Sequence, residues 1–250
     1  MSWFLLMPIV FGSSLVLTMV GLGGGLIFSP LFILLSFPVS TAVSASLFLN
    51  GIAAISAAIT YFRRKMVDVH IGVPLIISSS LAAPVGAYTT SRVDIRIFTA
   101  VLAGVILLAA FRMLFSGKVE SEGKQISSGR RVIGGGIIGL VIGFMAGLLG
   151  IGGGVFIVPL LIYFLKVPTK IAAATSIFIV VFSSFSAFVT HISLADTNWK
   201  FILLAALFSF TGGQVGSRIM AEKLRGRTVR RIFGLVLLVF ALKLIQRVGS

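Results

Sequence analysis

Apolar runs follow one another along this chain with almost nothing between them, and that succession limits the possible folds more than any motif does. They cover residues 3–20, 26–35, 39–62, 71–89, 97–115, 132–149, 155–165, 171–192, 201–220 and 232–244. Unbroken apolarity at these lengths predicts helices, because the strands of a membrane barrel would alternate over short segments. Charged residues make up only 11% of the chain against 58% hydrophobic ones, where a soluble domain carries about 25% charged. The chain therefore reads as an all-α polytopic membrane protein whose solvent is the lipid bilayer, and soluble enzymes are excluded first.

Twenty-one Lys and Arg face six acids, a balance of +15. In a soluble protein that would suggest nucleic acid. Around apolar spans it is the signature of cytoplasmic flanks, so no nucleic-acid partner is expected. The absence of Cys removes disulfides, thiolate metal sites and cysteine nucleophiles. All six acids, Asp68, Asp94, Glu120, Glu122, Asp196 and Glu222, fall between the runs. That weighs against a carboxylate-based cation site or proton relay inside the membrane, and leaves backbone-carbonyl sites open. His70 and His191 stand near run ends without clustered partners, so neither a metal nor a cofactor is expected. The N-terminus lacks the basic start of a cleavable signal peptide, so its apolar run is expected to be a retained first span.

The chain repeats itself. Gly21-Leu22-Gly23-Gly24-Gly25 returns as Gly150-Ile151-Gly152-Gly153-Gly154 at an offset of 129, and Pro30-Leu31 returns as Pro159-Leu160. Pro38, Ala42, Ser46 and Phe48 match Pro168, Ala172, Ser176 and Phe178 at an offset of 130, as Val85-Gly86 matches Val215-Gly216. One inserted residue accounts for the shift. The expected organisation is a membrane repeat over 1–115, a polar cytoplasmic linker over 116–131 and a second repeat over 132–250, a division seen in transporters.

Charge decides how often each repeat crosses. The short runs 26–35 and 155–165 would rise only ~18 Å against a hydrocarbon core of ~30 Å. If each still counts as a crossing, all but five of the 21 basic residues lie on the cytoplasmic side, the five being Arg92, Arg96, Lys200, Lys243 and Arg247. With four crossings per half and the linker inside, Arg218 to Arg231 would face outward. The positive-inside rule thus favours two inverted halves of five helices, each including a short half-helix, with the N-terminus outside. Four crossings per half with re-entrant or broken helices is the alternative.

No charged ligand remains at membrane depth, so the chemistry falls to backbone, hydroxyls and amides. Gly23, Gly24 and Gly25, and likewise Gly152, Gly153 and Gly154, open the two short runs. A glycine-rich turn entering a helix leaves N–H groups unpaired at the positive end of the helix dipole, with no side chain to hold an anion away. Close helix packing is the other use of such glycines. Gly21, Pro30, Gly150 and Pro159 complete the motif. Further candidate ligands are Ser46, its counterpart Ser176 with Thr175, Asn50, and Gln214, which stands where the first half has Pro84. Membrane serines and threonines also bond their own helix carbonyls, whereas Asn50 and Gln214 are more costly to bury.

The doubled G-x-G-G-G cluster, each followed by a proline at fixed distance in a two-fold repeated polytopic chain, resembles the TauE/SafE family of sulfite and organosulfonate exporters. The resemblance covers essentially the whole chain. It implies a cytoplasmic-membrane permease that moves small sulfur-containing anions, usually outward, and it brings no list of binding residues beyond the motif. A secondary transporter of a small anion is therefore the expected function. A passive anion channel or a carrier of another small organic acid is the alternative. An intramembrane enzyme would need a nucleophile and base that this chain does not group, so no catalytic residue is expected.

Overall fold

A computed structural model describes residues 3–22, 25–35, 37–89, 95–115, 128–149, 154–190 and 199–249. Asp94, Glu120, Glu122, His191 and Asp196 lie outside the described residues, as does the linker over 116–127. Among the described residues there are ten helices and no strand: α1 (Trp3–Val20), α2 (Gly25–Leu34), α3 (Val39–Arg63), α4 (Val69–Thr89), α5 (Ile95–Phe115), α6 (Ser128–Leu149), α7 (Gly154–Tyr163), α8 (Thr169–Thr190), α9 (Trp199–Glu222) and α10 (Gly226–Gly249). Three stretches, Thr41–Arg63, Thr169–Val189 and Lys200–Glu222, are long and apolar enough to cross a membrane.

Two helix starts differ from the sequence expectation by more than two residues. α6 begins at Ser128, inside the stretch read as linker, and α10 begins at Gly226, six residues before its apolar run. Hydropathy marks the part of a helix suited to hydrocarbon, while backbone hydrogen bonding carries the helix on into polar residues such as Arg130, Arg131, Arg227 and Arg230. The basic segment from Arg218 to Arg231 is accordingly mostly helix, with only Lys223 to Arg225 between α9 and α10.

The chain forms two compact units, and each draws on both sequence halves. The first contains Met1–Asp68 and Ala173–Leu224, the second Val69–Ala172 and Arg225–Ser250.

In the first unit α9 packs on α1 and α3. Contacts between α3 and α9 climb both helices together: Ser209 bonds the Leu49 carbonyl, Gln214 meets Ser56, and Glu222 pairs with Arg64. The two helices are therefore parallel. α1 shares their direction, since Ser14 meets Ser209 and Gly216 abuts the Leu15 carbonyl. Because α1 and α3 run the same way, α2 and its flanking residues must return the chain from one end of the unit to the other. α2 is anchored by Phe28 and Phe32, one turn apart and almost fully buried among Leu6 and Val10 of α1, Leu49 of α3 and Phe201 of α9. The Phe32 ring stands edge-on to Phe201 at 6.0 Å, a favoured aromatic geometry.

In the second unit α4 packs on α6 and α5 on α10. Gly135, Gly139 and Gly143 are spaced one turn apart on α6 and abut the carbonyls of Ile71, Leu75 and Ser79, likewise one turn apart on α4. A Cβ added at Gly139 would lie 2.6 Å from the Leu75 oxygen. Glycine is required by this approach of backbone to backbone, which replaces the hydrophobic drive that lipid cannot supply.

Local structure recurs at the repeated positions. Ala42 N–H bonds the Pro38 carbonyl at the start of α3, and Ala172 N–H bonds the Pro168 carbonyl at the start of α8. After α2, Phe37 N–H returns to the Phe32 carbonyl across five residues; after α7, Val167 N–H returns to the Leu161 carbonyl across six. The inserted residue thus lies in this turn, where Lys166 takes a left-handed conformation at φ 50°.

Candidate functional site

The end of α1 shows what the first residue of the glycine motif does. Gly21 sits at φ +90°, a conformation side chains disfavour. Leu22 N–H reaches back to the Leu17 carbonyl at 2.9 Å, the closing bond of a left-handed helix cap. A Cβ on Gly21 would also lie 2.7 Å from the Cα and the carbonyl oxygen of Ala173. Two partners bind this cap from other helices. The Tyr61 hydroxyl donates to the Thr18 carbonyl at 2.8 Å, and the Ser176 hydroxyl donates to the Gly21 carbonyl at 2.7 Å. Ser176 has one hydroxyl proton, and the Gly21 carbonyl takes it. Thr175 Oγ1 accepts the Asp68 N–H at 3.0 Å. The structure thereby brings Gly21, Thr175 and Ser176 together, residues 155 apart in sequence for the Ser176–Gly21 bond.

Asn50 is buried on α3, where its Nδ2 donates to Ser184 Oγ at 2.7 Å, and Ser46 is buried on the same helix. Gln214 belongs to a polar seam between α3 and α9. Ser56 Oγ donates its single proton to the Phe210 carbonyl at 2.7 Å, so the Gln214 atom 3.1 Å from Ser56 must be the amide nitrogen. That nitrogen also donates to the Ser56 carbonyl at 2.9 Å, and the amide oxygen accepts from Thr60 Oγ1 at 3.2 Å and from Arg218 Nε and Nη2 at 3.3 Å. One turn on, Arg64 pairs with Glu222.

Gly25 and Gly154 are the first residues of α2 and α7. Each helix has ten residues, about 15 Å, and neither has an acid in its first turn, where the N–H groups of a helix have no intrahelical partner. Pro30 and Pro159 are the sixth residues of these helices, and Pro159 is buried with most of α7. Gly23, Gly24, Gly150, Gly152 and Gly153 lie outside the described residues. An apolar recess of about 620 Å³ on α8, lined by Val181, Phe182, Phe185, Ser186 and Val189, contains none of the candidate residues. Among the described residues no group of three His, Asp or Glu could hold a metal.

Residues 6–244 match the family model described as Sulfite exporter TauE/SafE. The chain belongs to this family. A probable membrane transporter protein of Bacillus subtilis (strain 168), YunE, is 26% identical over 98% of both chains. A second from the same organism, YdhB, is 22% identical over 86% of this chain and 89% of its own. A probable membrane transporter protein of Xylella fastidiosa (strain Temecula1 / ATCC 700964) is 32% identical over 44% of this chain and 42% of its own. No solved structure gives a significant match. Family and apolar helices together make this TauE/SafE protein a multi-pass membrane protein of the transporter kind.

Several polar groups that shape this TauE/SafE chain were absent from the sequence-derived candidates. They are Ser14 and Ser209, whose hydroxyls meet at 2.9 Å, with Ser56, Thr60, Tyr61 and Arg218. Their signal is one-turn spacing: Ser14 with Thr18, Ser56 with Thr60, and Gln214, Arg218 and Glu222 in steps of four.

Proposed function

We propose that the protein is a secondary transporter that exports small sulfur-containing oxyanions, sulfite or sulfonates, across the cytoplasmic membrane. Backbone N–H groups at the glycine-rich starts of α2 and α7 bind the anion in this reading. The observation that carries it is the conjunction of the family match over residues 6–244 with two ten-residue helices that each begin on the last glycine of a duplicated cluster and lack a first-turn acid. An anion needs donors and positive potential; a helix start stripped of side chains offers both without burying a lysine or arginine.

Two inverted halves of five helices suit this function, and the parallel course of α1, α3 and α9 supports that count. With α2 as a re-entrant turn that returned to its own side, α3 would run opposite to α9. Ser176 and Gln214 act as framework in this reading, since the Ser176 proton and the Gln214 amide are committed to protein partners. Asn50 and Thr175 remain candidate contacts with substrate, beside Ser46.

Counterflow in sealed vesicles tests the proposal. Vesicles containing the protein and preloaded with unlabelled sulfite should accumulate labelled sulfite transiently and saturably, with sulfonates competing. Accumulation driven only by simple carboxylates would replace the substrate class, and a single-channel conductance without counterflow would replace the carrier.

A further inference from the structure

We propose that the second unit holds an oxyanion site at the C-terminal end of α7, built from Tyr163, Arg112 and Arg230. It stands nine residues along α7 from Gly154, about 14 Å of helix, and does not depend on the glycine clusters.

The Tyr163 hydroxyl oxygen has no solvent-accessible surface and no hydrogen-bond partner. A buried donor left unmade is costly and rare, and it points to a ligand that completes it. Two cations converge on the same side chain. The Arg112 guanidinium carbon lies 5.0 Å from the Tyr163 ring centroid; burial weighs most on the hydroxyl, and the charges of Arg230 and Arg112 oppose it. Packing fixes their positions: Arg112 lies in the last turn of α5, and its neighbours Met113 and Leu114 abut Gly234 of α10, one turn beyond Arg230. Arg230 is only 5% exposed, so its charge is little screened by water. The described residues of this unit include no Asp or Glu.

A buried O–H donor with one guanidinium over its ring and a second cation on the neighbouring helix matches a tetrahedral or pyramidal oxyanion, which accepts from several donors at once. The negative end of the α7 dipole also points here, but it amounts to about half a charge against two full ones. The same chemistry belongs to a free inorganic oxyanion and to the phosphate of an anionic lipid headgroup.

The test uses the purified full-length protein, with inorganic phosphate as the free probe and nanodiscs of phosphatidylcholine with or without phosphatidylglycerol as the lipid probe. Thermal stabilisation is read for the parent, Tyr163→Phe and Arg112→Gln. Tyr163→Phe keeps the ring under Arg112 and removes only the orphan hydroxyl, so the unliganded protein should be no less stable. Its affinity for the effective probe should fall about tenfold, the loss expected for one hydrogen bond to a charged group. Arg112→Gln, at an exposed position, should fall at least as far. Stabilisation by phosphate in phosphatidylcholine discs marks a free oxyanion, and stabilisation by phosphatidylglycerol alone marks a headgroup; either upholds the site. No stabilisation of the parent by either probe, or an unchanged response in Tyr163→Phe or Arg112→Gln, overturns it.

Discussion

The pair α1–α9 in one unit and the pair α4–α6 in the other correspond under the internal repeat, yet they are built from different contacts. Both are parallel, and both rest on glycines one turn apart pressed against carbonyls. In the first pair the glycines, Gly212 and Gly216, sit on α9, the counterpart of α4; in the second they sit on α6, the counterpart of α1. The first unit adds hydroxyls and an amide across its helices, Ser14 to Ser209 and Ser56 to Gln214. On α4, Ser78 and Ser79 donate to their own helix, at the Leu75 and Ile76 carbonyls. Close backbone approach is the shared requirement, and either partner can supply the small residues. Polar stitching is the part that differs, concentrated where α3 joins the pair.

The largest effect comes from the α4–α6 contact, where backbone packs directly against backbone. Gly139→Val should cost ~3 kcal/mol, because the new side chain meets the Leu75 backbone as well as the Ser78 hydroxyl, and the backbone cannot swing aside. Unfolding in detergent measures it, and a variant as stable as the parent would show that α4 and α6 can separate freely. Gln214→Leu comes next, at about 1–2 kcal/mol, since it strips Arg218 and Thr60 of their acceptor. A double-mutant cycle with Ser56→Ala should return a coupling of about 1 kcal/mol; no coupling would mean that the seam does not hold α3 to α9. Ser78→Ala should stay within ~0.5 kcal/mol, because its bond lies within its own helix. A cost equal to that of Gln214→Leu would erase the contrast between the units. Arg64→Gln should change stability least, by less than ~0.5 kcal/mol and not at all in high salt, as its pairing with Glu222 is exposed.

Helices were legible in the residues because the bilayer imposes long apolar runs: the first run, 3–20, has the bounds of α1 itself. Polar helix ends were not, since hydropathy loses the helix at Arg131 or Arg230 while hydrogen bonding continues. The two short helices could be read from glycines followed by prolines, and the inserted residue from the change of offset. Gly21 was legible as part of a motif but not as a helix cap, because its positive φ and its contact with Ala173 exist only once α8 folds against α1. The same holds for Gln214. Its cost of burial suggested a ligand, and its partners Ser56 and Arg218 become visible only when helices distant in sequence run parallel. Tyr163 carries no sequence signal at all, since an aromatic residue at the end of an apolar helix is ordinary.

The central claim is that glycine-rich starts of α2 and α7 bind the transported anion through backbone N–H groups. Sulfite-induced thermal stabilisation of purified Gly24→Val and Gly153→Val tests it most directly, with Gly→Ala at the same positions as milder variants should either valine variant fail to fold. The account predicts monodisperse protein with unliganded stability near that of the parent and little or no gain from sulfite. Folded variants that gain as much stability from sulfite as the parent does would contradict it, and the clusters would then be packing devices only.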